Sequence, residues 1–250
     1  EKWILAVHDK IFVHYLRVVC ASLRHGRPLY PDTFPIRRPE NRPKVLPVQA
    51  GYYCLDTGTP LNSNAYKAAR AAVNTALTGA DEILSGKRLV YSICRPPGHH
   101  AGKRFFGGFC YFNNAAIAAN YLSHEGRVAI FDIDFHHGNG TQDIFYNRKD
   151  VLSVSIHGHP DYSYPYFSGY ESERGEDEGV DFNRNFPLPP RTENDRYLRV
   201  FERAVKFILN FNPDILVVSL GFDILKGDPT GTFLLSPKIF ESIGNRLIST

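Results

Sequence analysis

The run "FDIDFHHGNG", Phe131–Gly140, closes an apolar, β-branched segment with acids and imidazoles at alternate positions. Asp134 and His136, one residue apart at the end of a strand, share a face and can reach the same ion. Asp223 in "GFDILKGDPTG", at the end of another apolar run, completes a three-ligand set that leaves positions for water and substrate. That is the pattern of catalytic rather than structural zinc. Two carboxylates and one imidazole form a hard, oxygen-rich donor set, so Fe(II), Mn(II) or Co(II) would also suit it. An isolated Asp-x-Asp often does no more than cap a strand. Here apolar residues surround the acids, and burying an unpaired carboxylate is costly.

The stretch "SICRPPGHHAGKRFFGGFCYFNN", Ser92–Asn114, carries the other chemistry-bearing pair, His99 and His100. Adjacent side chains diverge on a strand or a helix, so two neighbouring imidazoles serve one small volume only from an irregular loop. Pro96, Pro97 and Gly98 impose such a loop. Over the open position of a metal, one of these histidines can take a proton from water and return it to a leaving group.

These groups need a frame that gathers loop ends. Four nearly continuous apolar runs supply it: "KRLVYSIC" ending at Cys94, "RVAIFDID" at Asp134, "VLSVSIH" at His157 and "DILVVSLG" at Gly221. Such runs fit strands buried on both faces of a parallel sheet. Helical periodicity marks "HDKIFVHYL", Ala65–Leu84, Asn113–Ser123, Asn194–Leu209 and, after a Ser-Pro start, Ser236–Ile248. The alternation predicts an α/β fold with a central, mainly parallel sheet flanked by helices and a site at the carboxyl ends of the strands. No repeat or linker divides the chain, so residues 1–250 read as one catalytic domain. The segment from Tyr30 to Pro60 reads as one long Pro-rich loop.

Composition narrows the rest. Hydrophobic residues at 43% and charged residues at 22% exclude a disordered chain, and a net charge of +3 gives no basis for direct nucleic-acid binding. No apolar run reaches the roughly 18 residues that span a bilayer, which argues against a membrane protein. Four cysteines without Cys-x-x-Cys spacing suit a reducing compartment, and a cytoplasmic location is expected. The chain starts at Glu1, so its own N-terminus is expected to lie outside the sequence; it contains no Met, so either the protein avoids Met or methionines are missing from within the sequence.

Together "RPPGHHAG", "GGFCYFNNAAIAA", "FDIDFHHGNGTQDIFY", "VSIHGHP" and "SLGFDILKGDPTG" resemble the zinc-dependent histone deacetylase and acetylpolyamine amidohydrolase superfamily, which shares its fold with arginase. The resemblance covers roughly residues 50–250; "GYYCLDTGTP", "RFFGGFC" and Asn139 lean toward the acetylpolyamine amidohydrolase and class II branch. It implies Zn2+ on Asp134, His136 and Asp223, and His99 and His100 as the tandem catalytic histidines. It implies that Asp132 bonds His99, and that Asn139 stands where class I enzymes have an Asp beside His100. An anionic partner favours imidazolium and a neutral one does not, so His99 would be the cation and His100 the general base. Gly108, Phe109 and Tyr164 would line the acyl-lysine tunnel. A structural K+ would sit on Asp132, Asp134, His136, Ser155 and Ile156.

The implied activity is removal of acetyl groups from small acetylated polyamines, with protein acetyl-lysine as the alternative substrate and a non-catalytic acyl-amine binder as the alternative of another class. Asp56, Glu171, Glu173, Glu176, Asp177 and Glu178 are candidate acids for the rim of a polycation pocket. The loop around Phe34–Pro47 could cap the tunnel of a second copy, which makes a homodimer an expectation by analogy. The family's Gly-Gly-Tyr tyrosine does not occur by Thr250, nor does the family's first strand occur near Glu1; parts of the domain are expected to lie outside this stretch at both ends.

Overall fold

A computed structural model describes residues 1–249. Its contacts gather into two compact units, one of residues 1–126 with 139–144, the other of residues 127–138 with those from 145 onward.

The first unit is helical: α1 (Lys2–Leu5), α2 (Lys10–Ser22), α3 (Gln49–Tyr53), α4 (Ala65–Leu84), α5 (Asn114–Leu122) and most of α6 (Asn139–Phe145). Asp9 starts α2 by accepting the amides of Ile11 and Phe12, and Asn113 starts α5 by accepting that of Ala116. Each satisfies a donor that the first helical turn leaves without a partner. An aromatic core forms where Phe12 meets the rings of His8, Tyr53, Phe106 and Phe112.

The second unit holds one parallel sheet in the order β3-β2-β1-β4, with β1 (Val128–Asp132), β2 (Val151–Gly158), β3 (Asn183–Leu188) and β4 (Ile215–Ser219). Helix α7 (Asn194–Phe211) covers it, with Tyr197, Phe201, Ala204, Val205 and Ile208 packed among Phe131, Leu152, Val154 and Ile156. Phe131 and Phe201 stack with ring centroids 5.4 Å apart. Asn212 ends α7 in the left-handed conformation, and α8 (Ile239–Ile248) adds Ile239 and Ile243 to the same core.

Three of the four expected strands form. "KRLVYSIC" does not: residues 87–94 form no strand, with a bend at Arg88, and Leu89, Tyr91 and Ile93 are exposed. Periodicity proposes a strand, but only a neighbouring strand can complete one. Conversely, β3 was not expected. Its buried polar positions bond loop carbonyls, Asn183 to Glu173 and Asn185 to Tyr170, and Pro187 sits on an edge strand. Neither feature leaves an apolar signature.

Candidate metal centre and histidine loop

Asp134 and His136 lie just past the end of β1, in the loop rather than on the strand. The loop folds back on itself: the amide of Asp134 donates to Asp132 Oδ1 at 3.1 Å, and that of His136 to Asp134 Oδ1 at 2.8 Å. Parallel pairing aligns β4 with β1, which brings the loop carrying Asp223 alongside. The Phe135 amide then donates to Asp223 Oδ1 at 2.9 Å. His136 Nδ1 is 2.8 Å from Asp223 Oδ2 and 3.4 Å from Asp134 Oδ1. One donor atom from each of Asp134, His136 and Asp223 falls within 4.8 Å of the other two, the size of a single-ion site.

The electrostatics suit a cation. Burial raises the Asp223 carboxyl above its ordinary range, and the nearby Asp134 charge adds to this. Burial opposes charge on His136, but hydrogen bonds and charges from Asp134 and Asp223 outweigh it and push its pKa up to about 9. A divalent ion here would displace that proton and relieve the repulsion between the carboxylates. The Tyr164 and His136 rings meet edge-to-face, with centroids 6.3 Å apart. In register, Asp132 pairs with Ser155, followed on β2 by Ile156.

In the other unit His99 and His100 occupy a turn, 8% and 3% exposed, with ring centroids 4.0 Å apart. His100 Nδ1 lies 2.7 Å from Asn139 Oδ1. A carbonyl oxygen only accepts, so Nδ1 carries a proton, and in the neutral ring Nε2 is the basic nitrogen. Gly108 packs against the His100 ring so closely that a Cβ there would collide with it. Phe109, the next residue, is 61% exposed.

Several of the acids considered for a substrate rim are occupied elsewhere. Asp56 accepts from Gly58, Thr59 and Gly108; Glu173 accepts from Ser168, Gly169 and Tyr170. Glu171 lies 3.6 Å from Arg184, and Glu178 lies 3.3 Å from Lys149. Composition had no means of separating such internal acceptors from free surface charge. Sequence reasoning also gave no role to His8, Asn113 and Thr59, which hold the histidine loop and the Gly108 turn. The motif "DTGTP" was the available signal for Thr59, and for His8 and Asn113 there was none.

A parallel α/β sheet that gathers a carboxylate–imidazole–carboxylate set beyond its strand ends defines a class, the α/β proteins with a candidate metal centre. Residues 1–250 match the histone deacetylase domain, so the match includes the first fifty residues as well. The chain is 42% identical, over 98% of its length, to acetylpolyamine amidohydrolase 2 of Pseudomonas aeruginosa and spans 74% of that protein. It is 38% identical, over 99% of its length, to the acetylpolyamine amidohydrolase of Mycoplana ramosa, again spanning 74%. The crystal structure of acetylpolyamine aminohydrolase from Burkholderia pseudomallei matches with a TM-score of 0.93 at 36% identity, covering 98% of this chain and 73% of that one. The chain belongs to the histone deacetylase domain family.

Proposed function

We propose that this chain is a zinc-dependent amidohydrolase that removes acetyl groups from small acetylated amines, acetylpolyamines above all. The observation that carries this is the convergence of Asp134, His136 and Asp223 on one ion-sized volume. Their donor set fits Zn2+, which when bound supplies Lewis acidity toward an amide carbonyl and a water of lowered pKa.

The protein's own groups do the rest. His100, held as the Nδ1–H tautomer by Asn139, presents Nε2 as the base that accepts a proton from water and then delivers it to the departing amine nitrogen. His99 is the cationic partner that steadies negative charge on the carbonyl oxygen, with Asp132 as its counter-charge. Gly108, Phe109 and Tyr164 are assigned to the alkyl chain of the substrate. The potassium site is assigned to Asp132, Asp134, His136, Ser155 and Ile156. In its support, His157 Nε2 donates to the Gly169 carbonyl at 2.9 Å, so in the neutral ring Nδ1 accepts from the Ser155 hydroxyl, 2.7 Å away. The Ser155 oxygen lone pairs are thereby directed away from that proton and suit a cation.

The preference for polyamines rests on the relatives' named activities; of the candidate rim acids, Asp56 and Glu173 are internal acceptors and Glu171 and Glu178 stand in ion pairs. The test is a side-by-side measurement of kcat/KM for N-acetylputrescine, N-acetylspermidine and an acetyl-lysine peptide with zinc-loaded protein. The acetylpolyamines are expected to be hydrolysed fastest. Faster turnover of the peptide would move the assignment to protein deacetylation, and no turnover of any of them would refute it. His100→Ala is expected to abolish turnover with zinc content unchanged.

A further inference from the structure

Residues 107–110 form a tight turn, with the Cys110 amide donating to the Gly107 carbonyl at 2.8 Å and the Gly107 amide to the Cys110 carbonyl at 3.1 Å. Its two central residues both have positive φ, 52° at Gly108 and 65° at Phe109. Positive φ at both positions is the type I′ pattern, which glycine and asparagine tolerate. Phenylalanine is strained there, and a non-glycine residue in that conformation persists only where its surroundings over-determine it.

The surroundings here are the segment "DTGTP". Backbone pairing runs alongside the approach to the turn, with the Phe106 amide donating to the Tyr53 carbonyl at 2.8 Å and the Leu55 amide to the Phe106 carbonyl at 2.9 Å. At the turn side chains take over. The Gly108 amide donates to Asp56 Oδ2 at 2.6 Å, and the Phe109 amide to Thr59 Oγ1 at 3.0 Å. The Thr59 hydroxyl in turn donates to Asp56 Oδ1 at 2.9 Å, and the Gly58 amide also reaches that oxygen, at 2.8 Å. Thr59 is fully buried. Both amides of the strained turn are thus tied, directly or through one hydroxyl, to a single carboxylate about fifty residues earlier in the chain.

We propose that Asp56 and Thr59 are specificity-determining positioning residues: they clamp the Gly108–Phe109 turn so that Gly108 backs the His100 ring while the Phe109 ring is held at a fixed place for the substrate's acyl-alkyl portion. The inference rests on the deacylase assignment above. A carboxylate is required at 56 because it only accepts, and it faces three donors. An amide at that position would turn an N–H toward one of them. A hydroxyl is required at 59 because the same atom must accept from Phe109 and donate to Asp56.

The test uses zinc-loaded protein with three substitutions, Asp56→Asn, Thr59→Val and Thr59→Ser, each assayed with N-acetyl and N-butyryl forms of one amine. Asp56→Asn and Thr59→Val are expected to lower kcat/KM for the acetyl substrate about tenfold and to reduce the acetyl-over-butyryl preference at least about fivefold, with zinc content unchanged. Thr59→Ser, which keeps the hydroxyl, is expected to restore both values to within about twofold of wild type. In a Phe109→Gly background, where the strain and the ring are absent, Thr59→Val is expected to leave the preference unaltered. If the variants are destabilised and slowed but keep the wild-type preference, or if Thr59→Ser behaves like Thr59→Val, the clamp is merely structural and the proposal fails while the deacylase assignment stands. A wild-type protein that hydrolyses neither substrate overturns both.

Discussion

His8 illustrates how one residue ties distant loops together. Its Nδ1 lies 2.8 Å from the Gly102 carbonyl, and its Nε2 accepts the Asn113 amide at 3.0 Å. Only a neutral imidazole can make both bonds. Burial pushes its pKa from the ordinary 6.5 down to about 4, against the smaller upward pull of the Gly102 bond. Between those values the unfolded chain binds the proton and the folded chain does not. The stabilisation is therefore complete above pH 6.5 and is lost as pH falls toward 4, by about 3 kcal/mol in all. His8→Gln, which can donate and accept at similar places, is expected to flatten this part of the stability–pH curve. Urea unfolding midpoints for wild type and variant across that range check it, and parallel curves would remove His8 as the cause. None of this was legible beforehand, since "HDKIFVHYL" reads only as a helix and the partners of His8 lie 94 and 105 residues away.

At the scale of elements, the histidine loop is braced by two helix starts. The amides of Gly140 and Thr141, in the first turn of α6, donate to the His99 carbonyl at 3.0 and 3.1 Å. Asn113, the cap of α5, also donates through Nδ2 to the Ala101 carbonyl at 3.1 Å and to Thr141 Oγ1 at 3.0 Å. Gly140 sits so close to the Ala101 backbone that a Cβ would overlap it. Gly140→Ala is expected to destabilise the fold by about 1–3 kcal/mol and to depress kcat more than KM, because the loop must shift to admit the methyl group. Thermal unfolding with steady-state kinetics measures both; an unchanged kcat would show that the brace does not govern catalysis. The helices themselves were readable from periodicity, and α4 runs over the very residues expected, Ala65–Leu84. Residues 87–94 and β3 were misread in opposite directions, because strand formation is a property of pairs.

For the molecule as a whole, metal binding at the candidate site is expected to be linked to stability. Asp134, His136 and Asp223 offer donor atoms within 4.8 Å of one another, so an ion that binds them only in the folded chain adds stability by mass action, about 4 kcal/mol at a thousandfold excess over Kd. Chelation is expected to lower the unfolding temperature of the wild type and to leave that of Asp134→Asn unchanged; an equal response of the two would place the ion elsewhere. Because metal-free His136 holds a proton up to about pH 9, apparent zinc affinity should weaken by up to about tenfold per pH unit below that value. Competition with a chromogenic chelator at two pH values measures the slope, and a flat profile would exclude His136 as a ligand. Among the described residues no helix is long and apolar enough to cross a membrane.

What the sequence alone determined is the α/β class, through the alternation of apolar runs with helices, and the types and local spacing of Asp134, His136, His99 and His100, the residues proposed to handle an ion and a proton. Local spacing suffices there because one turn or one strand end sets it. Tertiary structure decided what depends on distant partners. It brought Asp223 beside His136 through the pairing of β1 with β4 and turned Asp56 from a rim charge into an internal acceptor. It also denied residues 87–94 a ladder. Hydrogen-bond partners far apart in the chain leave no periodic trace in it, so only the folded backbone could assign them.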